Sequence, residues 1–380
     1  MTREVDVLIL GAGPAGLSAG IVFARNGIRT IVCEQKTLPV DKVCGEGVMP
    51  AGLDHLERLG VLKFLSPNDY FPFRGVRYIS GRNFTAEGCF REGPGWGIPR
   101  LALSRAFVKR AGELETLEIL ESTRAEPKAR MKDRIAVRVG DELVFTRLLI
   151  GADGLNSKVR RWAGLEGVAR GPRRWGVRQH FCLSPWSDLV EVYWGEGIEA
   201  YITPCGKNLT SLAVLWDRHR YQRVEGGGRL MPSLLEAFPD LRARFTGAAP
   251  FDTPRSIGPM HRAATSPVGE GVILVGDAAG YLDALTGEGI SLATAQALAV
   301  EKYVIPILKT IPRHMPLLNS QQLKYYRRSY REIVRRYYRL TRLALTLNQH
   351  TLLGEYAIRL LHKQPGLFRS ILSMNMTSLI

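Results

Sequence analysis

Cysteine is scarce. The five present (Cys33, Cys44, Cys89, Cys182 and Cys205) are odd in number, scattered, and form no C-x-x-C pair. That excludes a disulfide framework and a zinc site read from spacing, and it makes a reducing, cytoplasmic compartment the expectation. No apolar run reaches the roughly eighteen residues that a bilayer-spanning helix needs. The first residues, Thr2-Arg3-Glu4-Val5-Asp6, lead straight into a strand, so no signal peptide is expected. Fixed-period repeats and long low-complexity stretches are also missing. Acidic residues are outnumbered, with Asp+Glu 36 against Lys+Arg 52 and a net charge of +16. This excess favours an anionic partner: a phosphorylated cofactor, a membrane surface or a nucleic acid. No nucleic-acid recognition motif accompanies it, and nucleic acid is not expected.

What is present reads as a globular α/β chain. Its 380 residues exceed one compact core, which predicts two domains or one domain with a large insertion. Val5–Leu10 has the branched, uniformly apolar character of a buried parallel strand. Gly11-Ala12-Gly13-Pro14-Ala15-Gly16 follows, then a helical run to Arg25 closed by Asn26-Gly27, then a second strand, Ile28–Cys33, ending at Glu34. Helical spacing returns at Leu101–Ala111, and strands are predicted at Leu117–Leu120, Ile135–Val139, Val144–Ile150 and Val272–Val275. From about Trp175 to Trp216 the period becomes two, which predicts an antiparallel sheet distinct from the parallel one. Gly226–Gly228 are expected to form a loop.

The first βαβ unit carries a G-x-G-x-x-G with an acidic residue, Glu34, eighteen positions past Gly16. Gly11 permits the tight turn, Gly13 lets a pyrophosphate approach the backbone, and Gly16 lets helix and strand pack closely. Pro14 and Ala15 open the helix, whose free N–H groups and positive dipole end suit phosphates. Glu34 is placed to accept hydrogen bonds from ribose hydroxyls. An adenine dinucleotide is the expected ligand.

Two further glycine-rich strand-to-helix turns, Gly151-Ala152-Asp153-Gly154 and Gly276-Asp277-Ala278-Ala279 with Leu285-Thr286-Gly287-Glu288-Gly289-Ile290, complete a set of three. In this set the chain resembles the FAD-dependent oxidoreductases of the para-hydroxybenzoate hydroxylase type. Lys36 to Gly45, ending Lys42-Val43-Cys44-Gly45, is similar to the Lys-x-Cys-Gly-Gly stretch of their geranylgeranyl reductase branch. The resemblance implies a Rossmann-type FAD-binding domain (1–70, 100–165 and 265–310), an inserted antiparallel-sheet substrate domain (71–99 and 166–264) and a helical C-terminal region (311–380).

It also implies roles. Gly11, Gly13, Pro14, Ala15, Gly16 and Glu34 hold the ADP half of FAD, and Arg100, in Arg100-Leu101-Ala102-Leu103, contacts the cofactor. Asp277 binds a ribityl hydroxyl, Gly287 contacts the cofactor, and the backbone of Gly289 and Ile290 faces the flavin pyrimidine edge, an oxyanion-hole type of position. Asp153 belongs to a motif that serves FAD and a passing nicotinamide; the alternative is that it only caps the next helix. The chain holds one dinucleotide fingerprint, so NAD(P)H as transient donor is expected in a groove and not in a second Rossmann domain.

The chain departs from the branch at Glu46, which replaces the second glycine of Cys-Gly-Gly, and at Ala284, where proline is usual. A carboxylate near the isoalloxazine suits an apolar prenyl tunnel poorly. Cys44 is either a reactive thiol activated by Lys42 or a packing residue. Arg178 and His180 share one strand face; they bind or deprotonate a phenolic substrate, or they face solvent. Tyr201 is a pocket-lining candidate. Gly95-Trp96-Gly97-Ile98-Pro99 is similar to the halogenases' W-x-W-x-I-P with its first tryptophan missing.

Residues 324–342 hold eight Lys/Arg and one acid at helical spacing, opposite a face of Tyr326, Tyr330, Ile333, Val334, Tyr337 and Leu340. This helix packs on the core with a solvated basic face, or docks peripherally on anionic lipid.

The leading expectation is an NAD(P)H-driven monooxygenase hydroxylating a lipophilic aromatic or polyketide-like small molecule, with Cys44, Glu46, Arg178 and His180 as catalytic candidates and no metal. The alternatives are a reductase of isoprenoid double bonds, a flavoprotein acting on a partner protein or membrane quinone, and, as a minor case, a halogenase.

Overall fold

The computed structural model describes residues 2–81, 84–169, 171, 173–221, 230–312 and 314–376. Gly226–Gly228 lie outside them. The central parallel sheet runs, in spatial order, through Val272–Leu274, Glu142–Gly151, Thr2–Leu10, Thr30–Cys33 and Leu117–Leu120. Thr2–Leu10 pairs in parallel with both neighbours, Val7 opposite Leu148 on one side and Thr30 on the other. Its core residues, Val7, Leu8 and Ile9, are fully buried, as expected for a strand covered on both faces. Helix Pro14–Ala24 packs on one face and Arg100–Gly112 beside it. A hairpin, Ala125–Arg130 with Ile135–Val139, extends from the first half of Glu142–Gly151.

The predicted second sheet is present and antiparallel over Arg174–Cys182, Leu209–Asp217, Ile198–Gly206 and Val190–Gly195. Its far side recruits Gly75–Ser80 and Thr85–Cys89 from early in the chain, the first of these joining in parallel. A three-stranded patch (Gly47–Val48, Gly95–Gly97, Phe71–Phe73) sits between the two large sheets. There Trp96 stacks on Tyr70, ring centroids 3.8 Å apart.

The C-terminal region is helical: Lys324–Gln349, Thr351–Lys363 and Pro365–Met376. The long helix turns its tyrosines inward. Tyr330 donates to the Ala279 carbonyl (2.8 Å) and Tyr337 to the Asp283 carbonyl (2.6 Å). A buried ionic node ties three parts together: Arg174 of the second sheet lies 3.0 Å from Asp283, pairs with Glu199, and donates to Asn348 of the long helix (3.2 Å). No helix among the described residues is long and apolar enough to cross a membrane.

Candidate active site

The three glycine-rich turns converge at the C-terminal ends of the parallel strands, where α/β sheets bind ligands. Space dictates the residues of the first turn. A Cβ on Gly16 would lie 1.8 Å from the Gly11 carbonyl oxygen, and one on Gly11 would lie 2.4 Å from that of Ala152. Gly11 also has φ +104°, which disfavours any side chain. At Gly13, by contrast, a Cβ would meet nothing within 4 Å. Helix Pro14–Ala24 starts there with no side-chain cap and no acid in its first turn. Open space in front of free N–H groups is what a pyrophosphate requires. The buried carboxylate of Glu34 is oriented by the N–H groups of Ala12 (3.0 Å) and Lys36 (3.2 Å), beside that space.

Arg100 is 5% exposed, and its Nη1 has no hydrogen-bond partner among the described residues. Burial lowers its pKa, against the pull of Cys44, Asp41, Glu46 and Asp277. A buried guanidinium left short of partners calls for an anionic or strongly accepting ligand. Asp277 stands in a 3-10 turn, Gly276–Ala279, which is anchored by the Gly276 N–H on Gln296 (2.7 Å). Burial pushes its carboxyl up to about 6, with Lys42, Arg100 and Arg160 opposing. Helix Gly289–Tyr303 begins with no side-chain cap, so the N–H groups of Gly289 and Ile290 are available to a developing negative charge. Asp277, Gly289, Tyr281 and Tyr338 line a shallow cleft at this turn. These features fit FAD.

Asp153 is engaged differently. Its two oxygens accept from Ser157 Oγ and from the N–H groups of Lys158 (2.6 Å) and Val159 (3.2 Å). The capping alternative describes it, because the short helix Lys158–Trp162 needs acceptors at its start. Arg160, not anticipated from the sequence, is fully buried and ties this loop to the Asp277 turn through the Ala278 (3.0 Å) and Leu155 (2.8 Å) carbonyls. Its one sequence cue is Asp153, Ser157 and Arg160 at helical spacing.

The substrate-side candidates form a closed ion network. His180 donates from Nε2 to Glu46 (2.6 Å) and from Nδ1 to Asp252 (2.8 Å). Arg178, fully buried, pairs with Asp252 and Asp41, and its Nε lies 3.6 Å from Glu46. Asp41 is shared with Arg255 (2.9 Å). Burial opposes a charged His180, but Asp252 and Glu46 override it and raise its pKa to about 9. Burial likewise opposes ionised Glu46, yet His180, Arg178 and the Arg100 N–H hold it below the usual carboxylate range. Neither expectation for Arg178 and His180 holds: they do not face solvent, and of their side-chain nitrogens only the buried Nε of Arg178 lacks a hydrogen-bond partner among the described residues. The carboxylates that claim them come from residues 41–46 and 252, so the strand pattern alone cannot reveal them. Glu46 is not an unpaired charge either. The expectation of an activated Cys44 thiol is also reversed, since burial and the charge of Glu46 raise its pKa, while Lys42 lies 3.9 Å from Glu34. Glu46, His180 and Cys205 bring potential metal-ligating atoms together, but the ion pairs already account for the first two.

The FAD binding domain family model matches residues 4–310. The chain belongs to that family. It is 30% identical over 315 residues to a menaquinone reductase of Mycobacterium tuberculosis, covering 76% of this chain and 73% of that protein. Digeranylgeranylglycerophospholipid reductase 1 of Methanothermobacter thermautotrophicus is 27% identical over 313 residues, covering 76% and 74%. Among solved structures, a flavoprotein/dehydrogenase from Cytophaga hutchinsonii superimposes with a TM-score of 0.83 at 18% identity, covering 98% of this chain and 93% of that one. This flavoprotein is thus an FAD-dependent oxidoreductase of monooxygenase or reductase type.

Proposed function

We propose that this flavoprotein reduces carbon–carbon double bonds of an isoprenoid chain, as in a prenyl quinone or prenyl lipid, with NAD(P)H as electron donor. The observation that carries this reading is the closure of Glu46, Arg178 and His180 on one another and on Asp41 and Asp252. A phenolic substrate would need one of these groups free to bind or deprotonate it. What remains beside the 285–290 turn is apolar apart from Glu288, a buried carboxyl that burial raises to about 8. Met49, Tyr78, Trp194 and Tyr201 pack together with Leu361 of the C-terminal helices, and Tyr201 also joins Ala284, Leu285 and Leu292. The two relatives named above are reductases by description, and their names agree with an isoprenoid substrate.

Bound FAD supplies the hydride. Glu34, Arg100 and Asp277 would hold the cofactor, and the Gly289 and Ile290 N–H groups would be available to charge developing on it. Hydride addition to one alkene carbon leaves its neighbour in need of a proton. Cys44, held as a thiol by burial and by Glu46, is assigned to carry it. The charge of Glu46, fixed by its pairing with His180, then keeps the thiol protonated, and the Glu46 N–H donates to Cys44 Sγ (3.3 Å). Thr203 assists by donating to the Gly45 carbonyl (2.9 Å).

Anaerobically reduced protein mixed with a detergent-solubilised prenyl quinone should show flavin reoxidation and, after any quinol is reoxidised in air, a quinone still heavier by two hydrogens per reduced bond. A reduced flavin indifferent to prenyl substrates, yet yielding an oxygenated aromatic product in air, would overturn the proposal. Hydroxylation is the second reading, favoured by Glu46 in place of the branch's second glycine.

A further inference from the structure

The exposed apolar surface of this protein is concentrated at one end. Of thirteen large hydrophobic side chains exposed among the described residues, six fall between 343 and 367. Leu352 is 74% exposed, Tyr356 69%, Leu343 56% and Leu353 53%, with Leu360 and Leu367 at 43% each. In helix Thr351–Lys363 the opposite face packs inward, with Ile358 buried and His362 bonded to the Thr85 carbonyl (2.7 Å). Leu352, Tyr356, Leu360, Arg359 and Lys363 therefore share the outward face at three- and four-residue spacing. At the end of the preceding helix, Leu343 shares a face with exposed Arg339 and Arg342 by the same spacing. From 333 to 376 the chain carries seven Lys/Arg and a single acid, Glu355.

Apolar side chains standing out of a basic surface are the pattern of an interfacial helix, and the charge selects an anionic surface. Beneath this face lies the apolar seam already described. Phe368, Leu372 and Leu361 contact the cluster of Tyr78, Val76, Val190 and Trp194, which leads through Met49 and Tyr201 toward Gly287. We propose that the 343–367 segment is a docking face for an anionic phospholipid bilayer, with Leu352, Tyr356 and Leu360 entering the interface, and that the isoprenoid substrate is taken up from the bilayer along this seam. The second part rests on the reductase reading. Relative to the basic helix 324–342 singled out from the sequence, the contact shifts toward the C-terminus, and the arginines of that helix flank it.

The test is co-sedimentation of the full FAD-loaded chain with phosphatidylglycerol/phosphatidylcholine vesicles, compared with phosphatidylcholine alone. Binding is expected only with the anionic lipid and should weaken with salt. The L352S/Y356S/L360S triple variant and the R339E/R342E double variant should each bind about tenfold or more weakly. Both change exposed side chains, and an unaltered flavin spectrum serves as the folding check. Three results would overturn the docking face: no binding by the parent protein, binding by the leucine variant equal to the parent, or a self-association abolished by the leucine variant without vesicle binding. Turnover of detergent-solubilised substrate separates the two proposals. Turnover without vesicle binding removes the docking face alone, and vesicle binding without turnover removes the reductase reading and the uptake that rests on it but leaves the docking face.

Discussion

Glu46→Gln tests the closed ion network directly. Glutamine keeps the shape and an acceptor at this site but removes the charge that faces His180 Nε2 at 2.6 Å and Arg178 Nε at 3.6 Å. In the folded protein the imidazole of His180 is raised from 6.5 to about 9. At about 1.4 kcal/mol per pH unit, that shift corresponds to about 3 kcal/mol of stability. The folded value stands above the unfolded one, so the contribution is complete below about pH 6.5 and is lost as the pH climbs toward 9. In the E46Q variant His180 keeps only Asp252 as a charged partner. We expect the variant to be about 2–3 kcal/mol less stable at neutral pH, because removing one member of a buried pair strands the other. Its loss of stability between pH 6.5 and 9 should be about half that of the parent. Glu199 and Glu288, raised by burial to about 7 and about 8, also cost stability as the pH rises through this window. They are common to both proteins, so the difference between the two curves isolates the Glu46–His180 pair. Urea unfolding followed by tryptophan fluorescence across this pH range measures it. Parallel pH profiles for parent and variant would refute the clamped imidazolium.

Gly16→Ala places a methyl 1.8 Å from the Gly11 carbonyl oxygen, and we expect it to abolish FAD retention, read as loss of flavin absorbance on purification. Asp153→Ala should cost about 1 kcal/mol by thermal or urea unfolding while leaving FAD affinity within a few-fold, as expected for a helix cap. A large loss of FAD affinity would instead restore its assigned cofactor role. Arg174→Met leaves Glu199 and Asp283 buried without their cation. We expect a destabilisation of about 3–5 kcal/mol, visible as a lowered unfolding midpoint. Arg100→Met should weaken FAD binding at least tenfold, measured by fluorescence titration of the apoprotein.

The cofactor half of the site is local, and it was readable from residues in order. A tight turn, a close backbone approach and a helix start are set by neighbours in the chain. Gly11, Gly13, Gly16 and Glu34, and the strands Leu117–Leu120 and Ile135–Val139, therefore lie where period and spacing place them. The period-two stretch likewise becomes the antiparallel sheet. Asp153 shows the limit of motif reading: the same residue at the same spacing can serve a ligand or a helix start, and only the positions of the Lys158 and Val159 N–H groups decide.

Charge pairing on the substrate side is a long-range property. Alternation along Arg174–Cys182 puts Arg178 and His180 on one face, but it does not say what meets that face. Asp41 and Glu46 reach it from one loop and Asp252 from another, and their arrival converts two apparent substrate-binding side chains into a buried network. The basic helix behaves similarly: its amphipathic pattern predicts an inward tyrosine face, while the exposed leucines that follow became visible only once Ile358 and Phe368 were seen to claim the other side. The sequence by itself determined the dinucleotide fold, because that rests on backbone geometry that a few glycines dictate, while FAD as the dinucleotide followed from the family resemblance. Tertiary structure decided which charges are free to act, because burial and pairing depend on segments far apart in the chain.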